Sequence, residues 1–239
     1  VQLQDQIGWG LRCRYWDFDA DEQFSGVFNN GIELITATVD DDLEVNAVDL
    51  EVTRMFRVGI LDCWAGLGAR HGRLQRQLTV HQSIFDLSGG GGDDATVVLN
   101  EIDREFEGTG ITMSLDMRRP ISRTRLAAIC NLRGSVLWGE NRLDDSLSFI
   151  EVVPAAAGTL ALADFQQPLS SSVDQEGMWI GELQAGGEWS APLNNAFGGN
   201  AFLRVLFEAQ WWNLPGITGS IDGQLYEFLG VTVAAGFTR

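Results

Sequence analysis

Hydrophobic and polar residues alternate with a period of two along much of this chain, most clearly near its end. Leu229, Val231, Val233, Ala235 and Phe237 share one parity, with small or polar residues between them. Side chains on every second position of a strand face the same way, so the pattern predicts a β-strand with one apolar face. Seven further segments carry the same signature: 7–18, 44–56, 60–73, 108–118, 125–138, 178–189 and 201–212. In the first, Trp9, Leu11, Cys13 and Tyr15 oppose Arg12 and Arg14. In the second, Val48, Leu50, Val52 and Phe56 oppose Asp49, Glu51 and Thr53.

Short links at 57–59, 119–124 and 190–200 alternate with longer ones at 19–43, 74–107, 139–177 and 213–224. A Val58-Gly59 turn would set Phe56 against Leu61 and Leu50 against Leu67, matching apolar with apolar. It would also place Asp49 and Glu51 opposite Gly68 and Gly66, whose missing side chains leave room for Arg70 to reach those carboxylates. A turn around Pro120 would likewise set Met117 against Leu126. The fold expected is all-β: one domain over residues 1–239, an up-and-down antiparallel transmembrane barrel of about eight strands, with short periplasmic turns and long extracellular loops. The β-like runs 32–38, 95–102 and 147–153 read as strand extensions, with ten or twelve wall strands as the alternative.

The chain has no stretch of 18 consecutive apolar residues, so no helix is expected to span a membrane; barrel strands give a much weaker signal. Net charge is −17, which argues against a nucleic-acid partner. All sixteen basic residues are arginine, in line with a codon-usage bias. The first residue is Val rather than Met, compatible with a processed N-terminus and export. Cys13, Cys63 and Cys130 lack ligand spacing and fall on the apolar parity, so they read as small outward-facing hydrophobes.

Alternation alone does not say which face points inward. In a soluble lipocalin-like barrel, binding a small apolar ligand, the apolar face would line the interior; in a membrane barrel it would meet lipid. Aromatic spacing favours lipid. Trp179 and Trp189 lie ten residues apart on the apolar parity, a rise of about 25 Å in a tilted strand and the height of a barrel's apolar band. Trp9, Phe56 and Phe237 join Trp189 at one rim, and Trp138 and Trp211 join Trp179 at the other, as two aromatic girdles. The opposite parity carries both signs of charge, as an enclosed polar lumen would: Arg12, Arg14, Arg70, Arg118, Arg125, Arg133 and Arg204, with Asp49, Glu51, Asp62, Asp116, Glu182, Glu188, Glu208 and Glu227.

The ordered segments RYWDFDAD, LEVTRMFRVGILDCWAGLGARHGRL, FEGTGITMSLDMRRPI, LRGSVLWGENR and FLGVTVAAGF resemble the planctomycete branch of the pore-forming outer-membrane proteins related to the Legionella major outer membrane protein. The resemblance covers most strands and little of the loops. It implies an outer-membrane location and a pore, and it supplies no catalytic residues. Thr238 and Arg239 after the last aromatic depart from the usual barrel ending.

The chain lacks the nucleophile-elbow GxSxG and zinc-protease HExxH motifs, and His71 and His81 have no triad partner by spacing. A non-enzymatic role without cofactor is expected, with a lipid-modifying outer-membrane enzyme as an alternative. The acidic runs Asp40-Asp41-Asp42 and Asp93-Asp94 are candidate Ca²⁺ ligands, since hard cations take several carboxylate oxygens. The expected partners are outer-membrane lipid, Ca²⁺ at these runs, and a second copy or another envelope protein. Eight strands leave an interior that side chains can fill, so the sequence points to a narrow or plugged barrel with an envelope structural or surface-interaction role, against the porin reading of the family.

Overall fold

In the computed structural model, which describes residues 2–4, 8–29, 33–86, 95–122, 124–154, 160–192, 199–214 and 224–238, every regular element is a strand. A three-residue β1 (Gln2–Gln4) precedes eight long strands: β2 (Trp9–Asn29), β3 (Glu33–Val58), β4 (Leu61–Asp86), β5 (Ala95–Pro120), β6 (Leu126–Pro154), β7 (Leu160–Pro192), β8 (Asn200–Leu214) and β9 (Gln224–Thr238). They form one antiparallel sheet in chain order. The β-like runs between the alternating segments continue these same eight strands as tall hairpins. At 26 residues, β3, β4 and β5 each reach roughly 85 Å.

The hairpin parity is as expected, but the registers are not. Phe56 pairs with Cys63, Leu50 with Ala69 and Val48 with His71, two residues from the expected pairing. The cause is the turn: Gly59 and Ile60, not Val58 and Gly59, are its central residues, and Gly59 takes φ = 60°, which costs glycine little. In the next hairpin Met117 pairs with Cys130, because the strands stop at Pro120 and Leu126. Thr124 donates its backbone N–H to the Ile121 carbonyl at 3.1 Å within this loop. A slip by an even number of residues keeps every side chain on its face, so parity could not reveal it.

The sheet is strongly staggered. The register row that begins at Trp9, at the foot of β2, runs through Arg54, Ala65, Leu115, Leu132, Leu183 and Ala209 to Leu229, well above the foot of β9 at Thr238. Such a shear tilts strands around a curled wall, as barrel geometry requires. The curl brings inward rings of β2 together with those of β8 and β9: Trp16 stacks on Trp212 at 5.8 Å, and Phe228 meets Phe18 edge-on at 4.8 Å. Among the described residues no backbone ladder joins β2 to β9, so the structure is a curled half-barrel whose seam is bridged by rings.

Glycines make the curl possible. A Cβ on Gly68 would overlap the Leu50 carbonyl oxygen, and one on Gly110 would overlap that of Val136. Both lie on the concave face, where neighbouring strands crowd together. Gly68→Ala is expected to destabilise the fold by about 2–3 kcal/mol. Gly134→Ala, on the convex face with open space around it, should be neutral within about 0.5 kcal/mol when both variants are unfolded with urea.

Candidate functional site: the lumen and the outer band

On the convex side, successive rows of side chains are apolar and exposed. Cys13, Leu50, Ala69, Ile111, Val136 and Trp179 form one row, and Leu11, Val52, Leu67 and Met113 belong to the next. Towards the long hairpins the character changes within two rows. Tyr15, Val48, His71, Thr109 and Trp138 are followed by Asp17, Asn46, Arg73, Glu107 and Glu140. Beyond that row Asp103 faces Asp144 across β5 and β6, and burial together with the Asp144 charge pushes the Asp103 carboxyl up. The segments 17–46, 73–107, 139–177 and 213–227 hold twenty-five of the thirty-three acids and four of the sixteen arginines.

Trp9, Phe56, Trp138, Trp179 and Trp189 all project outward and are exposed. Trp211 is outward and half-buried, flanking Gly181 together with Trp179. Phe237 pairs with Ala201 through its backbone, and its side chain lies outside the described residues. Two of the expected assignments need correction. Cys63 is 4% exposed, covered between its cross-strand neighbours Phe56 and Met117, whereas Cys13 is exposed. Glu227, grouped with the lumen by charge, shares the outward parity of Leu229 and pairs with Trp211.

The concave face has two layers. Nearer the short turns lies an ion-pair network drawn from β2, β3, β4, β5, β6 and β7. Glu51 accepts from Arg12 Nε at 2.8 Å and from Arg133 Nε at 3.0 Å. Arg12 also reaches Asp116 and Ser114. Asp49 accepts from Arg14 Nε at 2.9 Å and from Arg70 NH2 at 3.0 Å. Glu182 closes the network from β7, taking Arg14 at 2.7 Å, Arg133 at 3.4 Å and Arg70. Asp49, Glu51 and Arg70 are each 1% exposed. Buried charges persist only when paired and hydrogen-bonded, and alternation on six strands supplies the partners here. The Arg70–Asp49 pair is direct across the β3–β4 ladder, so Gly68 does not serve to make room for Arg70. Gly66 does face the network, since a Cβ there would strike Ser114 Oγ and press on Glu51 and Arg12.

Towards the long hairpins the concave face turns apolar. Val45, Leu74, Phe106, Leu137, Met178, Ile180, Trp212 and Phe228 form one buried cluster, with Trp16 and Phe18 packed against it. The sequence signal for this second layer is the inward parity of Trp16 and Trp212. Towards the short turns lies a cavity of about 800 Å³, lined by Arg12, Arg14, Asp62, Trp64, Asp116, Arg118, Arg133, Glu182, Glu188, Phe202 and Arg204 among others. At its edge Arg118 and Arg204 share Glu188, at 2.9 and 2.6 Å, and Arg57 holds Asp62 at 2.7 Å. Glu208 sits apart from the arginines, accepting from Thr232 at 2.7 Å and Gln210 at 2.6 Å.

The acidic run 40–42 lies in β3, not a loop. Consecutive strand residues point to opposite faces, so the three carboxylates diverge. Asp41 pairs with Arg76 at 2.6 Å and Asp40 accepts from Gln23 at 2.6 Å. Asp93 and Asp94 lie outside the described residues. Among the described residues no group of three or more His, Cys, Asp or Glu converges as metal ligands would. His71 is exposed with Nδ1 at 3.1 Å from Thr109 Oγ1, and His81, read as a loop residue, lies within β4 opposite Thr38 and Leu99. Comparison of the chain with known protein families, curated proteins and solved structures returns no match.

Proposed function

We propose that this chain is an outer-membrane barrel whose apolar convex band faces lipid and whose filled interior makes it an envelope structural or surface-interaction protein, not an open porin. The observation that carries this reading is the change of the convex face from apolar to charged along one continuous row, Asp17 to Glu140. In water, exposed Met113, Phe207 and Leu229 would be a large liability; in a bilayer they are the required surface. The paired ions and apolar layer inside support the plugged reading, and they leave little of the greasy interior that a lipocalin-like ligand would need. The resemblance to pore-forming outer-membrane proteins agrees with the location and conflicts with the filled lumen.

The protein should stay monodisperse only in detergent, migrate anomalously on a gel until boiled, and give no stable porin-sized currents in planar bilayers. Monodispersity in plain buffer would remove the membrane reading. Large steady channels from folded protein would remove the plug.

A further inference from the structure

The cavity beside the short turns has more cationic donors than its own acids use. Arg118 gives Glu188 only its Nε, at 2.9 Å, and Arg204 gives the same carboxylate Nε and NH2, at 3.2 and 2.6 Å. Two guanidiniums thus share one carboxylate, which is 6% exposed and has no further capacity to balance them. Each arginine keeps about a third of its side chain open, 28% for Arg118 and 32% for Arg204, and both line the cavity. Arg204 is also held in place over the Phe202 ring, 5.3 Å from its centroid. The other cavity acids are already engaged: Asp116 by Arg12, Glu182 by three arginines and Asp62 by Arg57. What remains is a held, partly dry pair of forks with one net positive charge, facing space large enough for a small organic molecule.

We infer that Arg118 and Arg204, braced by Glu188, form a binding site for a phosphate group at the mouth of the cavity. A planar guanidinium matches phosphate oxygens through two parallel N–H bonds, and two forks fixed by one carboxylate lose little freedom when such a group arrives. The phosphate can belong to a free phosphate monoester or to a lipid headgroup, since the cavity lies at the end of the apolar band. The site rests on the concave-face geometry and stands whether or not the convex face meets lipid.

Calorimetric titration of the folded full chain in non-ionic detergent tests this, with glycerol phosphate in one arm and phosphatidylglycerol against neutral phosphatidylcholine in the other. Saturable binding in either arm is expected, and the arm that binds identifies the source. Arg118→Gln and Arg204→Gln should each weaken binding about tenfold, the loss of one charge-assisted hydrogen-bond pair. Arg73→Gln, at an exposed pair with Glu105 far from the cavity, should leave it unchanged. Glu188→Gln should tighten binding several-fold, because it frees the guanidiniums from their competing anion. General damage to the fold would not produce that opposite sign, and circular dichroism of each variant confirms that it is folded. Absence of binding in both arms, or binding indifferent to Arg118→Gln and Arg204→Gln in folded protein, would overturn the site.

Discussion

Glu182→Ala is expected to destabilise the protein by about 3–5 kcal/mol, the cost of breaking a buried ion network from one side. The carboxylate is 5% exposed and receives Arg14, Arg70 and Arg133. Its removal leaves Arg14, Arg70 and Arg133 with only Asp49 and Glu51 to share, one positive charge uncompensated where Arg70 in particular has no route to water. Glu182→Gln keeps the shape and an acceptor but not the charge, so it should lose less. Glu208→Ala gives the internal contrast: its partners are the neutral Thr232 and Gln210, and about 1 kcal/mol is expected. Equilibrium unfolding by urea, with refolding into the same detergent or lipid, measures all three. Equal stability of Glu182→Ala and the parent chain would show that the network does not hold the interior.

Trp212→Ala should cost a similar amount, about 3–5 kcal/mol, through a different mechanism. The ring is fully buried, stacks on Trp16, meets Phe228 edge-on at 6.4 Å and donates Nε1–H to Gln210 at 3.1 Å. From β8 it reaches across to Trp16 beside the seam where β2 and β9 meet without a ladder, so its loss opens a cavity and loosens the seam together. Amides of β2 and β9 should therefore exchange faster than those of β4 and β5 in the variant. Trp211→Ala, one residue along and on the convex face, should have the smaller effect. If hydrogen exchange rises equally in all strands, the seam is not where the wall is weakest.

Much of this was legible because a strand reports its faces directly. Arg12, Asp49, Glu51, Arg70, Arg133 and Glu182 come from five strands far apart in sequence, yet parity alone put them on one face. Their convergence also needed register, and parity is blind to shifts of two or four residues. That is why Asp49 was set against Gly68 and not against Arg70. Strand length was understated for a related reason. Beyond the band the convex face becomes acidic, as at Asp19, Glu44 and Asp103, so the contrast between the two parities fades although the ladder continues. The apolar inner layer is hidden in the sequence because Leu74 and Phe106 lie just past that change, in a long link, and Val45 stands at the very start of its alternating segment. The charge of Glu227 points to the lumen, but its parity with Leu229 puts it on the convex face.

If the convex band is a lipid surface, the cost of a single charge placed on it depends on depth. Met113 is 63% exposed in the middle of the band, and Glu107 lies on the same strand and face just beyond it. With the protein folded into phospholipid vesicles, Met113→Arg should cost about 2–4 kcal/mol, while Glu107→Arg should cost about 0–1 kcal/mol. If Met113→Arg is as stable as the parent chain under the same conditions, the band does not face lipid and the membrane account fails.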